Sequence, residues 1–402
     1  MFRYTIVILL AFLLFGCLEV YEPEVGPYDA TLVVDGRLTD SQDTATVILS
    51  RAFAYSEDEP EYVSRAVVMI EDDQGITHAL QENRKGIYQT DPALFSGEAG
   101  RSYRLLVTTD DGQAFESDWE QLKPAPPVGE VRYEYEERVA NDPDEPGARI
   151  VPGIQFFVST ADPENNTRYY RWEYIATHEF TLWHPPLIQV EFFDPPGSGN
   201  GEITEVPADV FEGFACWETN ISRQVFLATT EGYSQDIVKD YPLHFEDNST
   251  PRLSARYSLL VKQYAISKAY YNYLRKLEEI NQTTGSLFDP IPNEVVGNVH
   301  SADERSVPVL GYFYVAGQSS LRTFVNYSDL PPGFFTPVGP ECVTDTLPLD
   351  LKVLYQEVEF NNMVLFDYLY SPFGAKIGFK VSEPPCTNCA LNGATNERPE
   401  FW

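Results

Sequence analysis

Strand-length alternation, repeated with a turn between each repeat, is the feature that most restricts what this chain can fold into. Residues 31–39 (TLVVDGRLT), 45–50 (ATVILS), 66–71 (AVVMIE), 76–80, 86–89, 102–108 (SYRLLVT) and 113–117 all read as short strands. Period two places alternate side chains on one face of a pleated strand, and no 3.6-residue period competes with it here. Turn formers separate the runs: Asp72-Asp73-Gln74-Gly75 and Asp110-Asp111-Gly112 both read as hairpin turns. About seven short strands in about 90 residues fit a sandwich, so an Ig-like β-sandwich is expected over residues 30–122.

The Pro-rich segment 123–129 (KPAPPVG) marks a boundary. Beyond it, residues 130–402 are expected to form a larger β-rich domain. Strands are read at 130–139, 153–160, 168–177 (RYYRWEYIAT), 309–316 (VLGYFYVA) and 321–325, and a long loop at 185–201. Composition agrees: 25 Tyr, 25 Phe and 5 Trp stand beside only 3 Met, and 25 Gly with 30 Pro disfavour long helices. One α-helix is expected near 258–282. There Ile266, Tyr270, Tyr273, Leu277 and Ile280 recur at spacings of 4, 3, 4 and 3. The tyrosines on that face are expected to pack into the core with their hydroxyls bonded at its edge, rather than to form a sugar-stacking platform. The fold class is therefore mainly β.

The N-terminus carries an address. Arg3 precedes an apolar run, residues 5–15 (TIVILLAFLLF), too short to cross a bilayer and of the length of a signal peptide. Gly16-Cys17 at its end resembles a bacterial lipobox. By that resemblance residues 1–16 are a signal peptide, Cys17 is lipidated, and 17–29 form an acidic tether. Such a chain is anchored to a membrane without spanning it. Acidic residues just after the lipidated Cys resemble the surface-export signals of Bacteroidota lipoproteins.

Charge and motifs narrow the chemistry. The chain has 28 Lys and Arg against 61 Asp and Glu, a net charge of −33, and no basic stripe, so nucleic acid is not an expected partner. Cys216, Cys342, Cys386 and Cys389 lie in an oxidising compartment and are disulfide candidates; four cysteines allow three connectivities. Cys386-Thr387-Asn388-Cys389 has no His beside it, and the five His form no ligand motif, so neither metal nor cofactor is expected. No nucleophile elbow, phosphate loop or dinucleotide fingerprint is present, and no catalytic residue is assigned. Thr44 (after Asp43) and Thr346 (after Asp345) match the Asp-Thr-apolar acceptor of Bacteroidota O-glycosylation.

Several features occur together. They are Cys17 with its acidic tether, Leu32–Asp40 (LVVDGRLTD), Asp162-Pro163 before Tyr169-Tyr170-Arg171-Trp172-Glu173, the Cys386/Cys389 pair, and the ending Arg398-Pro399-Glu400-Phe401-Trp402. Together they resemble, over essentially the whole mature chain, a Bacteroidota outer-membrane lipoprotein family of unassigned function encoded beside TonB-dependent receptors. The resemblance implies an accessory subunit of a TonB-dependent outer-membrane β-barrel receptor. Its roles in nutrient uptake would be ligand binding, gating or stabilisation of the barrel. It names no ligand and no catalytic residue. The alternatives are a structural or assembly subunit of an outer-membrane complex and, behind that, a surface hydrolase. A concave aromatic-lined pocket is the expected mark of a ligand binder.

Overall fold

Alternation on the first strand divides the molecule into two sides. In Leu32–Thr39 (β1), Leu32, Val34 and Leu38 are buried, while Val33, Asp35 and Arg37 turn the other way. β1 pairs antiparallel with Thr46–Arg51 (β2), Leu32 opposite Arg51. The buried face packs on Val68, Ile70, Leu105 and Val107 of the strands Val67–Asp72 and Ser102–Thr108. The result is a β-sandwich whose two layers belong to one continuous hydrogen-bonded sheet of fifteen strands. The computed structural model describes residues 31–52, 60–141, 148–193, 199–206, 214–283, 295–302, 308–334 and 342–402. The leader, the tether and Cys17 lie outside the described residues.

The same sheet continues into the second half of the chain. Tyr169–Thr181 (β3) pairs with Arg256–Ala265 (β4), and β4 pairs with the long strand Val309–Asn326 (β5). β5 serves both halves of the molecule. Residues 309–316 run parallel to β1, Leu32 opposite Val309, and 317–326 run antiparallel to β4. Gly311 permits the close passage: its φ is +98°, and a Cβ there would sit 1.9 Å from Val34 O. The Pro-rich segment is held against this junction. Pro126 O accepts from Gln263 Nε2 at 2.8 Å and from Ser319 Oγ at 2.7 Å, and Lys123 O accepts from Gly317 N.

The expected helix forms only in part. Residues 256–265 are a strand, and the helix runs over Lys268–Thr283 (α1). Leu259 and Val261 are buried in β4 as a central strand, so ladder pairing on both edges takes this apolar run out of the helix. Ser267 Oγ accepts from Tyr270 N at 3.1 Å and closes the first turn. Tyr270 and Leu274 are buried and Tyr273 and Leu277 half-buried, which is the apolar face read from the spacing.

A second core lies between β3 and β4 and a separate three-stranded sheet (Val128–Asn141, Ala148–Ala161, Ile237–Asp247), centred on Phe156, Tyr170, Trp172 and Tyr257. The C-terminal residues form a small sheet of Thr344–Pro348, Lys376–Ser382 and Val364–Tyr370, packed on Leu351–Phe360 (α2), a helix not expected from the sequence. The expected loop at 185–201 contributes a strand instead: Ile188–Phe192 pairs with Gly201–Glu205, and Ile188 is buried against Leu354 and Phe379.

A tyrosine-walled cavity as candidate functional site

The cavity follows from β1's second face. In a strand, residues i and i+2 share a face. Val33, Asp35 and Arg37 therefore form part of a floor, continued by Thr46 and Ile48 of β2 and by Tyr312 and Tyr314 of β5. The apolar face of α1 lies over it with Tyr270, Tyr273, Leu274 and Leu277, and Arg171 of β3 closes one side. The cavity volume is about 530 Å³, within the range of small-molecule sites.

The tyrosines are turned toward one another. Tyr270 and Tyr314 stack at 4.4 Å; Tyr312 lies 4.8 Å from Tyr270 and 5.0 Å from Tyr273. Some hydroxyls are spent. Tyr312 Oη donates to Glu120 Oε1 at 2.6 Å, Tyr314 Oη accepts from Arg171 Nη1 at 3.2 Å, and the Tyr264 hydroxyl donates to Glu173. Arg171 Nη2 also donates to Glu173 Oε2 at 3.3 Å, so Glu173 is fully engaged. Asp43 is likewise held, by Lys262 at 2.7 Å and Gln318 at 2.9 Å.

Four side chains on the cavity keep unused polar groups. The hydroxyls of Tyr270 and Tyr273 make no hydrogen bond, and Asp35 and Arg37 make neither a hydrogen bond nor an ion pair within 4 Å among the described residues. Arg171 Nε is buried without an acceptor. Asp35 is open to water through the mouth of the cavity yet walled by protein. That desolvation raises its carboxyl above the ordinary value, against the pull of Arg171 and Arg37. Desolvation followed by Asp35 raises Tyr273 as well. The arrangement can offer one carboxylate, the Arg37 guanidinium and two phenols to a small polar molecule, with Leu274, Leu277 and Ile48 for an apolar part.

The residues singled out in the sequence lie elsewhere. Cys216 is bonded to Cys389 and Cys342 to Cys386, which fixes the connectivity left open above. Both bridges tie the C-terminal segment down. Beyond them Thr395 pairs with Trp217, and Trp402 Nε1 donates to Glu179 Oε2 at 3.0 Å. Among the described residues, the one metal-ligand grouping is Cys342, Glu383 and Cys386, and its two sulfurs are joined to each other. Thr44 is half-buried beside Asp43, whose Oδ2 is held by Lys262 and Gln318, whereas Thr346 is exposed on its strand. Asp72, at the first hairpin turn, spends its Oδ1 on Gln74 N and Ile76 N at 2.9 Å each, which accounts for that carboxylate without a cation.

Asp35, Arg37, Arg171, Tyr312 and Tyr314 were not foreseen as site residues, and Tyr270 and Tyr273 were read as core alone. A signal was present in LVVDGRLTD: an acid and a base at i and i+2, on one face of a strand otherwise patterned for burial.

Fold and cavity define a mainly β protein with a preformed, polar-lined aromatic pocket. The chain belongs to the family described as "Domain of unknown function (DUF4249)", whose model matches residues 19–322. Every residue lining the cavity lies inside that span, whereas Cys342, Cys386, Cys389 and the terminal Phe401-Trp402 lie beyond it. No curated protein matches the chain.

Proposed function

We propose that the protein is a lipid-anchored outer-membrane lipoprotein of Bacteroidota that serves as accessory subunit of a TonB-dependent receptor, and that it acts by holding a small ligand in the tyrosine-walled cavity. The cavity with its unspent charges and hydroxyls carries the ligand-binding part of this reading. Charges and hydroxyls without protein partners around one preformed void are open to a partner from outside. The anchoring part rests on Arg3, the apolar run 5–15 and Gly16-Cys17. A lipid at Cys17 would confine the protein to the membrane plane and raise its effective concentration near a barrel.

The test is an affinity pull-down of the native lipidated protein, tagged at an exposed loop and extracted from outer membranes in mild detergent. One TonB-dependent barrel at near-equal stoichiometry is expected. Recovery alone, or in an assembly without such a barrel, overturns the accessory-subunit reading. One observation favours a structural or assembly role instead: Phe373, at the tip of the hairpin joining Val364–Tyr370 to Lys376–Ser382, is 97% exposed.

A further inference from the structure

Which ligand suits the cavity is decided by what its walls leave open. Asp35 and Arg37 are fixed on one strand face, about 6–7 Å apart by strand geometry. They are close enough for Arg37 to act on the Asp35 carboxylate, yet they form no ion pair. Arg37 and Arg171 both lie within Coulomb reach of Glu173, Tyr264 and Tyr314. Glu173, the carboxylate shared by those two cations, is already engaged by Arg171 and Tyr264. Arg171 spends both Nη groups on Tyr314 and Glu173 and its Nε is sealed from the cavity, so Arg37, half-buried on the floor and without a partner among the described residues, is the guanidinium that can take a further anion. Asp35 stands on the cavity floor opposite Tyr312 and Ile48, open to the cavity and with no ion-pair partner among the described residues, and so can take a cation. A ligand that met only one of these needs would leave the other group unpaired beside it.

A neutral sugar fits less well. Its usual platform is an open aromatic face, and the rings of Tyr270, Tyr312 and Tyr314 are packed on one another.

We propose that the cavity binds a zwitterion of the amino-acid and short-peptide class, its ammonium donating to Asp35 and its carboxylate accepting from Arg37, with the Arg171 charge behind that side. Leu274, Leu277 and Ile48 then receive an apolar side chain, and about 530 Å³ admits a peptide of a few residues. This inference rests on the reading of the cavity as a ligand site.

The experiment is calorimetric titration of the full lipidated chain in detergent with leucine, the dipeptide Leu-Leu, N-acetyl-Leu-Leu, Leu-Leu-amide and maltose. Leu-Leu is expected to bind. Each blocked derivative is expected to bind about tenfold or more weakly, the effect of losing one charge-assisted contact. Asp35→Asn should remove the preference for the free amine and keep that for the carboxylate, and Arg37→Gln should do the reverse. The blocked peptides test the parent protein itself, so the outcome does not depend on whether a variant folds. Binding of maltose in place of peptide, equal binding of the blocked derivatives, or no binding by leucine or Leu-Leu overturns the inference. Zwitterion binding without a co-purifying barrel would leave this inference standing and remove the accessory-subunit reading; a barrel without zwitterion binding would do the opposite.

Discussion

Successive residues of β3 belong to two different aromatic environments. Tyr170 and Trp172 face the second core, where they and Tyr257 are completely buried and each hydrogen-bonded. Tyr170 Oη donates to Asp236 at 2.8 Å, Trp172 Nε1 to Gln263 Oε1 at 3.0 Å, and Tyr257 Oη shares a hydrogen bond with His244 Nε2 at 3.1 Å. Arg171, between them in sequence, faces the cavity, where Tyr270, Tyr273, Asp35 and Arg37 stay unpaired. Both sets are tyrosine-rich, but the cavity is open to water at its mouth. What separates them is access: leaving a polar group buried and unpaired costs about 1–3 kcal/mol, which the closed core avoids by pairing and the cavity by leaving Asp35 and Arg37 open to water. Aromatic content alone therefore distinguishes neither a core nor a site; the hydrogen-bond census does.

The largest expected effect lies on the closed side. Trp172 is completely buried, so Trp172→Ala should remove about 3–5 kcal/mol of stability, read as a lower denaturant midpoint. Tyr273→Ala, half-buried on the open side, should cost clearly less. Equal losses would erase the contrast between the two environments.

That contrast was only partly legible in the sequence. Strand positions in the first 120 residues follow period two because one face of each is buried, and the observed 102–108 strand coincides with the expected one. The helix start was misjudged because an apolar run such as SLLVKQYAI looks the same in a buried strand as in a helix. The loop read at 185–201 hides a hairpin whose Pro and Gly signals outweighed its short strands. The site was least legible. Asp35, Arg171, Tyr270 and Tyr314 come from four elements, and local spacing carries no information on which of them meet. Disulfide pairing was open for the same reason: Cys216 and Cys389 are 173 residues apart.

The C-terminus tests closure away from both sets. Trp402 packs edge-on to Trp217 and Phe324, with its Nε1 on Glu179 and Arg256 beside its ring. Deleting Phe401 and Trp402 should cost about 1–3 kcal/mol and lower the melting temperature, less than Trp172→Ala does. An unchanged melting temperature would remove this tail from the packed structure.

Single hydroxyls sharpen the comparison further. Tyr170→Phe leaves Asp236 with Thr230 as its remaining side-chain donor and should cost about 1–2 kcal/mol. Tyr273→Phe removes a hydroxyl with no partner and should stay within about 0.5 kcal/mol of the parent. A similar loss in both would mean that the Tyr273 hydroxyl is spent in the free protein and unavailable to a ligand.

The smallest effect has the opposite sign. Burial raises the Asp35 carboxyl above its ordinary 3.8, so the folded chain holds that proton more tightly than the unfolded chain does. Its contribution is fully favourable below 3.8 and is lost as pH rises through the raised value; at neutral pH the ionised group works against folding. Asp35→Asn should therefore melt at the same or a slightly higher temperature than the parent at about pH 7, and the difference should close as pH falls toward 3.8. The gain is small because water reaches Asp35 through the cavity mouth and screens it. A charge whose removal leaves the fold unharmed, or helps it, is not held there by packing and stays open to a ligand. A lower melting temperature for Asp35→Asn at neutral pH would make Asp35 a structural partner and return the cavity floor to the closed side of the comparison.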